Sequence, residues 1–201
     1  MEWMQGILDA DRELFLWVQQ AGASELTDRL MLLLRKPATW IPLYAFLLYW
    51  VIRYARPYAL PFLLVTAVCA GLADFSSASI FKPLIGRPRP CYEPALDGLV
   101  RELVGCGGQY GFPSSHASNH FALATFWYWS IYILRGQRWN WLFVWAFLIG
   151  YAQIYVGKHY PVDIIGGAAL GLFIGTGGAK LFEWWHNRNQ VRKTTEPYPL
   201  P

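Results

Sequence analysis

The chain has 201 residues, of which 55% are hydrophobic, 17% aromatic and only 15% charged, with 11 Trp. Soluble domains carry roughly 25% charged residues, so the composition excludes an ordinary soluble domain and points to a single-domain membrane protein. The net charge of +4 is not gathered into a basic stripe on a soluble face, which excludes nucleic acid as a partner; the basic residues instead fall near the ends of apolar runs, where they meet anionic headgroups or phosphates.

In chain order, residues 1–20 mix Trp3, Ile7, Leu8, Leu14, Phe15 and Val18 with Glu2, Asp9, Asp11, Arg12 and Glu13. These charges, and the lack of a small-residue cleavage site after an apolar core, argue against a cleavable signal. The near-helical spacing predicts an amphipathic helix lying in the membrane interface. Residues 24–35 repeat the pattern with Leu26, Leu30, Leu33 and Leu34, and Pro37 ends it. Residues 1–37 are therefore expected as interfacial amphipathic helices, followed by a transmembrane domain over 38–185 and a flexible polar tail over 186–201.

Five apolar runs suit transmembrane helices, at about 40–54, 60–81, 116–134, 139–156 and 162–184. The expected fold class is an all-α integral membrane protein, a bundle of about five such helices. The end of the second run carries Asp74, Ser76, Ser77 and Ser79, so it faces protein or water rather than lipid. A long loop rich in Pro and Gly occupies 82–113, and loops of that length are usually functional. Cys91 and Cys106 bracket it and are expected to pair, which requires an oxidising compartment; Cys69 lies in an apolar run and reads as packing. Gly167, Gly171 and Gly175 permit close helix approach, first within a monomer and secondarily in a weak homodimer.

Successive spans alternate in direction. The end of the second, the start of the third, the end of the fourth and the start of the fifth therefore lie on one membrane face. Three polar clusters sit at those points. Lys82 and Arg89 supply fixed positive charge suited to phosphate oxygens, against the plainer reading of snorkelling at an interface. Pro113-Ser114-Ser115-His116 opens a helix, where a serine caps the first turn and free N–H groups favour an anion. His116 is placed to protonate a departing oxygen; pairing with His120 as metal ligands lacks any supporting motif. His159 followed by Asp163 is an imidazole whose tautomer a carboxylate fixes, the requirement for a histidine nucleophile. Basic residues counted on the two faces tie, but Lys82, Arg89 and Lys158 have chemical reasons for their positions. The remainder puts the tail in the cytoplasm and the clusters on the extracytoplasmic face of the plasma (inner) membrane, facing the periplasm.

The ordered triplet Lys82…Arg89-Pro90, Pro113-Ser114-Ser115-His116 and His159…Asp163 resembles the signature of the type 2 phosphatidic acid phosphatase superfamily, over about residues 40–184. The resemblance implies metal-independent hydrolysis with no cofactor. His159 would attack phosphorus to give a phosphohistidine, Asp163 would orient it, and His116 would protonate the leaving oxygen. Lys82, Arg89 and Ser114 would hold the phosphate, joined by Ser115, Gln153 and Lys158. Three positions depart from the pattern: Ser115 stands where glycine is usual, and Ala152-Gln153 where Ser-Arg is usual. The missing arginine charge is then expected from Lys158 or Arg87. The implied substrate is a lipid phosphate within the bilayer, with undecaprenyl diphosphate first and phosphatidylglycerol phosphate, phosphatidic acid or a lipid A phosphate behind it. Two other readings are a non-catalytic phospholipid-binding or transport protein on the same scaffold and a vanadate-dependent haloperoxidase, against which the apolar spans argue.

Overall fold

The computed structural model describes residues 2–195, and among them every regular element is helical, the single β contact being an isolated bridge between Pro88 and Tyr110. In chain order these are α1 (Glu2–Gln20), α2 (Glu25–Leu34), α3 (Ile41–Tyr54), α4 (Ala59–Phe75), α5 (Lys82–Ile85), α6 (Ser115–Arg135), α7 (Trp141–Tyr155) and α8 (Pro161–Thr195). Two stretches are long and apolar enough to cross a membrane by length and hydropathy, Arg56–Ile85 and Pro161–Gln190, and α7 is a shorter apolar helix.

The bundle is built around the pairing of α6 with α8, with α4 and α7 packed at its sides. The reason lies in the glycines of α8. A Cβ at Gly167, Gly171 or Gly175 would stand 2.5, 2.4 and 2.5 Å from the carbonyl oxygens of Ser114, Ser118 and Ala122. Only glycine lets the two backbones approach so closely. The small-residue stripe is thus consumed within the monomer, and it brings the two motif-bearing helix starts together: the Ser114 N–H donates to the Asp163 carbonyl at 2.9 Å.

Between α4 and α5 the helix widens into a π-type stretch, Ser76–Phe81, a distortion common at functional sites. It holds Ser77 fully buried, and the Ser77 hydroxyl donates to Ser115 Oγ at 2.9 Å. Ser77 thus faces protein and Ser76 is half-buried, whereas Asp74 and Ser79 at the same polar end are exposed. The loop that follows folds back on itself: Arg89 N–H donates to the Gln109 carbonyl at 3.0 Å and Gly111 N–H to the Arg87 carbonyl at 2.8 Å. Cys91 and Cys106 are bridged across it, and Cys69 is buried and free.

Two parts differ from the sequence expectation. Helix α8 runs on to Thr195, so 186–195 extend the last helix instead of beginning a flexible tail; no Pro or Gly interrupts that stretch. The rest of the expected tail, 196–201, lies outside the described residues. The N-terminal helices also do more than lie in an interface. Trp3, Ile7, Leu14 and Trp17 form an exposed apolar face on α1, but Asp11, Phe15, Val18 and Gln19 on the neighbouring face are buried against the bundle. Gln19 Nε2 donates to the carbonyls of Arg101 and Tyr155 at 3.0 and 3.2 Å, and its Oε1 accepts from Arg101 N–H at 3.0 Å. That one side chain ties the loop, α7 and α1 together.

Candidate active site

The α7–α8 turn carries His159, 2% exposed, and Asp163, fully buried, at the first turn of α8. His159 Nδ1 lies 3.3 Å from Asp163 Oδ2, and the same oxygen accepts from the Tyr160 N–H at 3.0 Å. This geometry leaves His159 Nε2 facing away from the carboxylate, where Arg89 Nη1 stands 3.4 Å from it. Burial, opposed in part by Asp163, pulls the His159 imidazole down to about 4. The ring is therefore neutral at physiological pH, the state a nitrogen nucleophile needs.

The other Asp163 oxygen is held from behind. Arg87 Nη1 donates to Asp163 Oδ1 at 2.8 Å, while its Nη2 donates to Asp11 Oδ2 at 2.6 Å. Asp11 Oδ1 in turn accepts from the Val162 N–H at 2.9 Å. The Arg87 guanidinium also lies over the Tyr160 ring, 4.2 Å from its centroid. Glycine at 111 is needed for this packing, since a Cβ there would stand 2.8 Å from Asp163 Oδ2.

The second cluster converges on the same place. Ser114 is buried and caps α6, its Oγ accepting from the Ala117 N–H at 3.4 Å. The Ser115 hydroxyl, where the family pattern has glycine, accepts from Lys82 Nζ at 3.0 Å. His116 follows in the first turn, with His120 stacked parallel to it at 6.5 Å between ring centroids. His120 Nδ1 lies 2.7 Å from the His116 carbonyl, and its ring meets Trp145 edge-on. The electrostatics of His116 are coupled to those of His159 and Lys82.

The cations divide into two groups. Arg89 and Lys158 line the front, and desolvation lowers both below their ordinary values. Arg89 reaches the Lys158 carbonyl at 3.4 Å, and Lys158 Nζ donates to the Cys106 carbonyl at 2.9 Å. Arg87 does not supply the missing phosphate charge as expected: both of its terminal nitrogens are engaged by carboxylates behind His159. Gln153 is 1% exposed with Nε2 unpartnered, and its backbone carbonyl accepts from the Lys158 N–H at 3.0 Å. The structure thus brings His159, Asp163, His116, Lys82, Arg89, Ser114 and Ser115 to one end of the bundle. What sequence reasoning missed is Asp11, whose signal was a carboxylate on the wrong side of an amphipathic helix.

Comparison with known proteins fits this geometry. The sequence pattern of the PAP2 superfamily matches residues 58–187. A lipid A 4'-phosphatase of Bacteroides thetaiotaomicron is 36% identical over 172 residues, 83% of this chain and 74% of that one. A lipid A 4'-phosphatase of Porphyromonas gingivalis is 33% identical over 86% of this chain and 72% of its own. The undecaprenyl-diphosphatase BcrC of Bacillus subtilis is 29% identical over a shorter stretch, 41% of this chain and 40% of that one. In fold, the chain resembles the crystal structure of a transmembrane phosphatidylglycerolphosphate phosphatase from Bacillus subtilis, with a TM-score of 0.64 at 18% identity over 96% of this chain and 90% of that one.

Proposed function

The chain belongs to the PAP2 superfamily and is a membrane lipid phosphatase, and from that premise we propose that it removes a phosphate monoester from a lipid A-type glycolipid. Undecaprenyl diphosphate, first in the sequence reading, moves behind it. Both lipid A 4'-phosphatase relatives align over more than four-fifths of this chain, whereas the undecaprenyl-diphosphatase BcrC of Bacillus subtilis aligns over 41% of it.

In the proposed mechanism, His159 Nε2 attacks phosphorus in line with the leaving oxygen. A P–N bond forms as the P–O ester bond breaks, and His116 gives its proton to the departing alkoxide. Negative charge from the bound phosphate favours the protonated imidazole that this step requires. Asp163 stabilises the positive charge that develops on His159. Lys82, Arg89, Lys158, Ser114 and Ser115 offset the charge on the phosphoryl oxygens. Water, deprotonated by the now neutral His116, then attacks the phosphohistidine, breaks the P–N bond and releases inorganic phosphate. The observation that carries this reading is His159 with Nδ1 on Asp163 and Nε2 toward Arg89.

The arrangement supports a bundle of about five spans, with α3 and α6 completing the set, and a site at the extracytoplasmic face of the inner membrane. There the acyl chains stay in the bilayer while the headgroup enters the basic mouth. The bridged Cys91 and Cys106 favour that side. The test is phosphate release by detergent-purified protein from lipid A, undecaprenyl diphosphate and phosphatidylglycerol phosphate, comparing wild type with His159→Ala. Highest kcat/KM on lipid A, abolished in the variant, is expected. Faster release from undecaprenyl diphosphate overturns the substrate assignment, and equal activity in both proteins overturns the nucleophile.

A further inference from the structure

Resting on the phosphatase reading above, we propose that Arg35, at the end of α2 and outside the family-matched residues, is a phosphate-binding residue of this site, supplying the cation that Gln153 cannot. Among the described residues five arginines are partly buried: Arg12, Arg35, Arg87, Arg89 and Arg101. Arg12, Arg87 and Arg101 each pair with a carboxylate. Arg89 and Arg35 pair with none among the described residues, and Arg89 stands at the mouth beside His159. The Arg35 Nε is buried without a hydrogen-bond partner. A buried donor left unpaired on a charged group is costly, and a bound anion removes the cost.

The fold puts the end of α2 beside the His116 end of α6: Trp40 Nε1 donates to the Leu34 carbonyl at 2.8 Å, Trp40 meets Trp145 edge-on, and Trp145 meets His120, one turn from His116. Helix α2 is fastened by Asp28, which accepts from the Tyr155 hydroxyl at 2.7 Å and from Arg101 Nη2 at 2.8 and 2.9 Å. Arg35 follows Asp28 by two helical turns, on the same face, and Met31 and Leu32 between them pack against the cluster containing Ala117, Ile154 and Val156. Its charge is felt by Arg89 and Lys158 in the mouth and by His116 at the start of α6. Lys82, coupled to Arg89 and Lys158, closes the ring. Four partly buried cations, Lys82, Arg89, Lys158 and Arg35, therefore repel one another, and the nearby carboxylate, Asp163, is already engaged by Arg87. Such a ring repels itself when empty and suits a dianion. The guanidinium fork also matches two phosphoryl oxygens, as an amide cannot.

The experiment uses the purified full-length protein on a lipid A 4'-monophosphate, with inorganic phosphate as the competing product. R35Q is expected to lower kcat/KM about 100-fold, the scale of losing one donor to a developing oxyanion, and to weaken inhibition by phosphate at least about tenfold. R35K, which keeps the charge but not the fork, falls between. R35Q/Q153R recovers phosphate inhibition. A role confined to holding α2 in place would lower the melting temperature of R35Q and R35K without changing the phosphate inhibition constant of the folded fraction. R35K with a wild-type inhibition constant overturns the assignment, including where R35Q fails to fold. Equal phosphate release by wild type and His159→Ala instead overturns the phosphatase mechanism, so the two failures are distinguishable.

Discussion

Asp11 touches neither His159 nor the basic mouth, yet replacing it by asparagine should slow the enzyme. It is 2% exposed at its side chain, Arg87 15% and Asp163 0%, so the charges share one dry environment. Removing one partner of a buried ion pair costs about 3–5 kcal/mol when the other charge is left uncompensated. Here Arg87 keeps Asp163, and the asparagine oxygen still accepts from the Val162 N–H. The loss is therefore nearer that of one charge-assisted hydrogen bond, about 2 kcal/mol. Without Asp11 to anchor it, Arg87 no longer holds Asp163 against the pull of the cations at the mouth, and we expect kcat to fall about tenfold, or about 1.4 kcal/mol, with KM unchanged. The assay is phosphate release with a parallel melting curve, run as a double-mutant cycle of D11N, R87Q and the pair. Coupling below about 0.5 kcal/mol, or a D11N enzyme with unchanged kcat and stability, refutes the link from Asp11 through Arg87 to Asp163.

Three further outcomes are expected. In G171L the new side chain meets the Ser118 carbonyl, which a Cβ alone already approaches to 2.4 Å; overpacking costs of about 1–3 kcal/mol or more should leave little folded protein on size-exclusion chromatography, whereas G177A, with nothing within 4 Å of its Cβ, should behave as wild type. Replacing Cys91 and Cys106 by serine opens a ring of sequence separation 15, worth about 3 kcal/mol in chain entropy, so the melting temperature in detergent should drop and reductant should reproduce the drop in the wild type. For His159 the folded pKa, about 4, lies below the ordinary value of 6.5, so the unfolded chain binds the extra proton between those values. Its contribution is present above about pH 6.5 and lost as pH falls toward 4, amounting to roughly 3 kcal/mol; H159N should show a shallower decline in melting temperature over that window.

The part of the site that a sequence shows best is the part made by short spacings. His159 and Asp163 are one helical turn apart, and Ser114 to His116 open a helix, so their local geometry follows from the chain itself. That the clusters meet follows from alternation of direction along the apolar runs. The glycines at 167, 171 and 175 announce a close approach but not the partner, since a four-residue repeat suits a second copy as well as α6. Asp11 and Arg87 are 76 residues apart. In sequence Arg87 is an unremarkable charge in a basic loop and Asp11 a carboxylate out of place on an amphipathic helix, and neither names the other. The pairing exists because α1 turns the face carrying Asp11, Phe15, Val18 and Gln19, rather than Trp3, Ile7, Leu14 and Trp17, toward the bundle. The π-type stretch at Ser76–Phe81 is equally silent in sequence, because serines at a span end are compatible with an ordinary helix.

These long-range contacts explain why five basic residues near the site do not act alike. Asp163 must orient His159 without being protonated or drawn forward into the cations at the mouth. A lone carboxylate facing Lys82, Arg89 and Lys158 would be pulled toward them, away from Nδ1. Arg87 prevents this by holding the second oxygen from behind, and Asp11 prevents Arg87 from following, since its other oxygen is tied to the backbone at Val162. An arginine spent in this way cannot also hold a phosphate. The positive charge at the mouth must then come from cations free of carboxylates, and among the described residues the partly buried arginines that meet that condition are Arg89, from the loop, and Arg35, from the helix that Asp28 fastens in place.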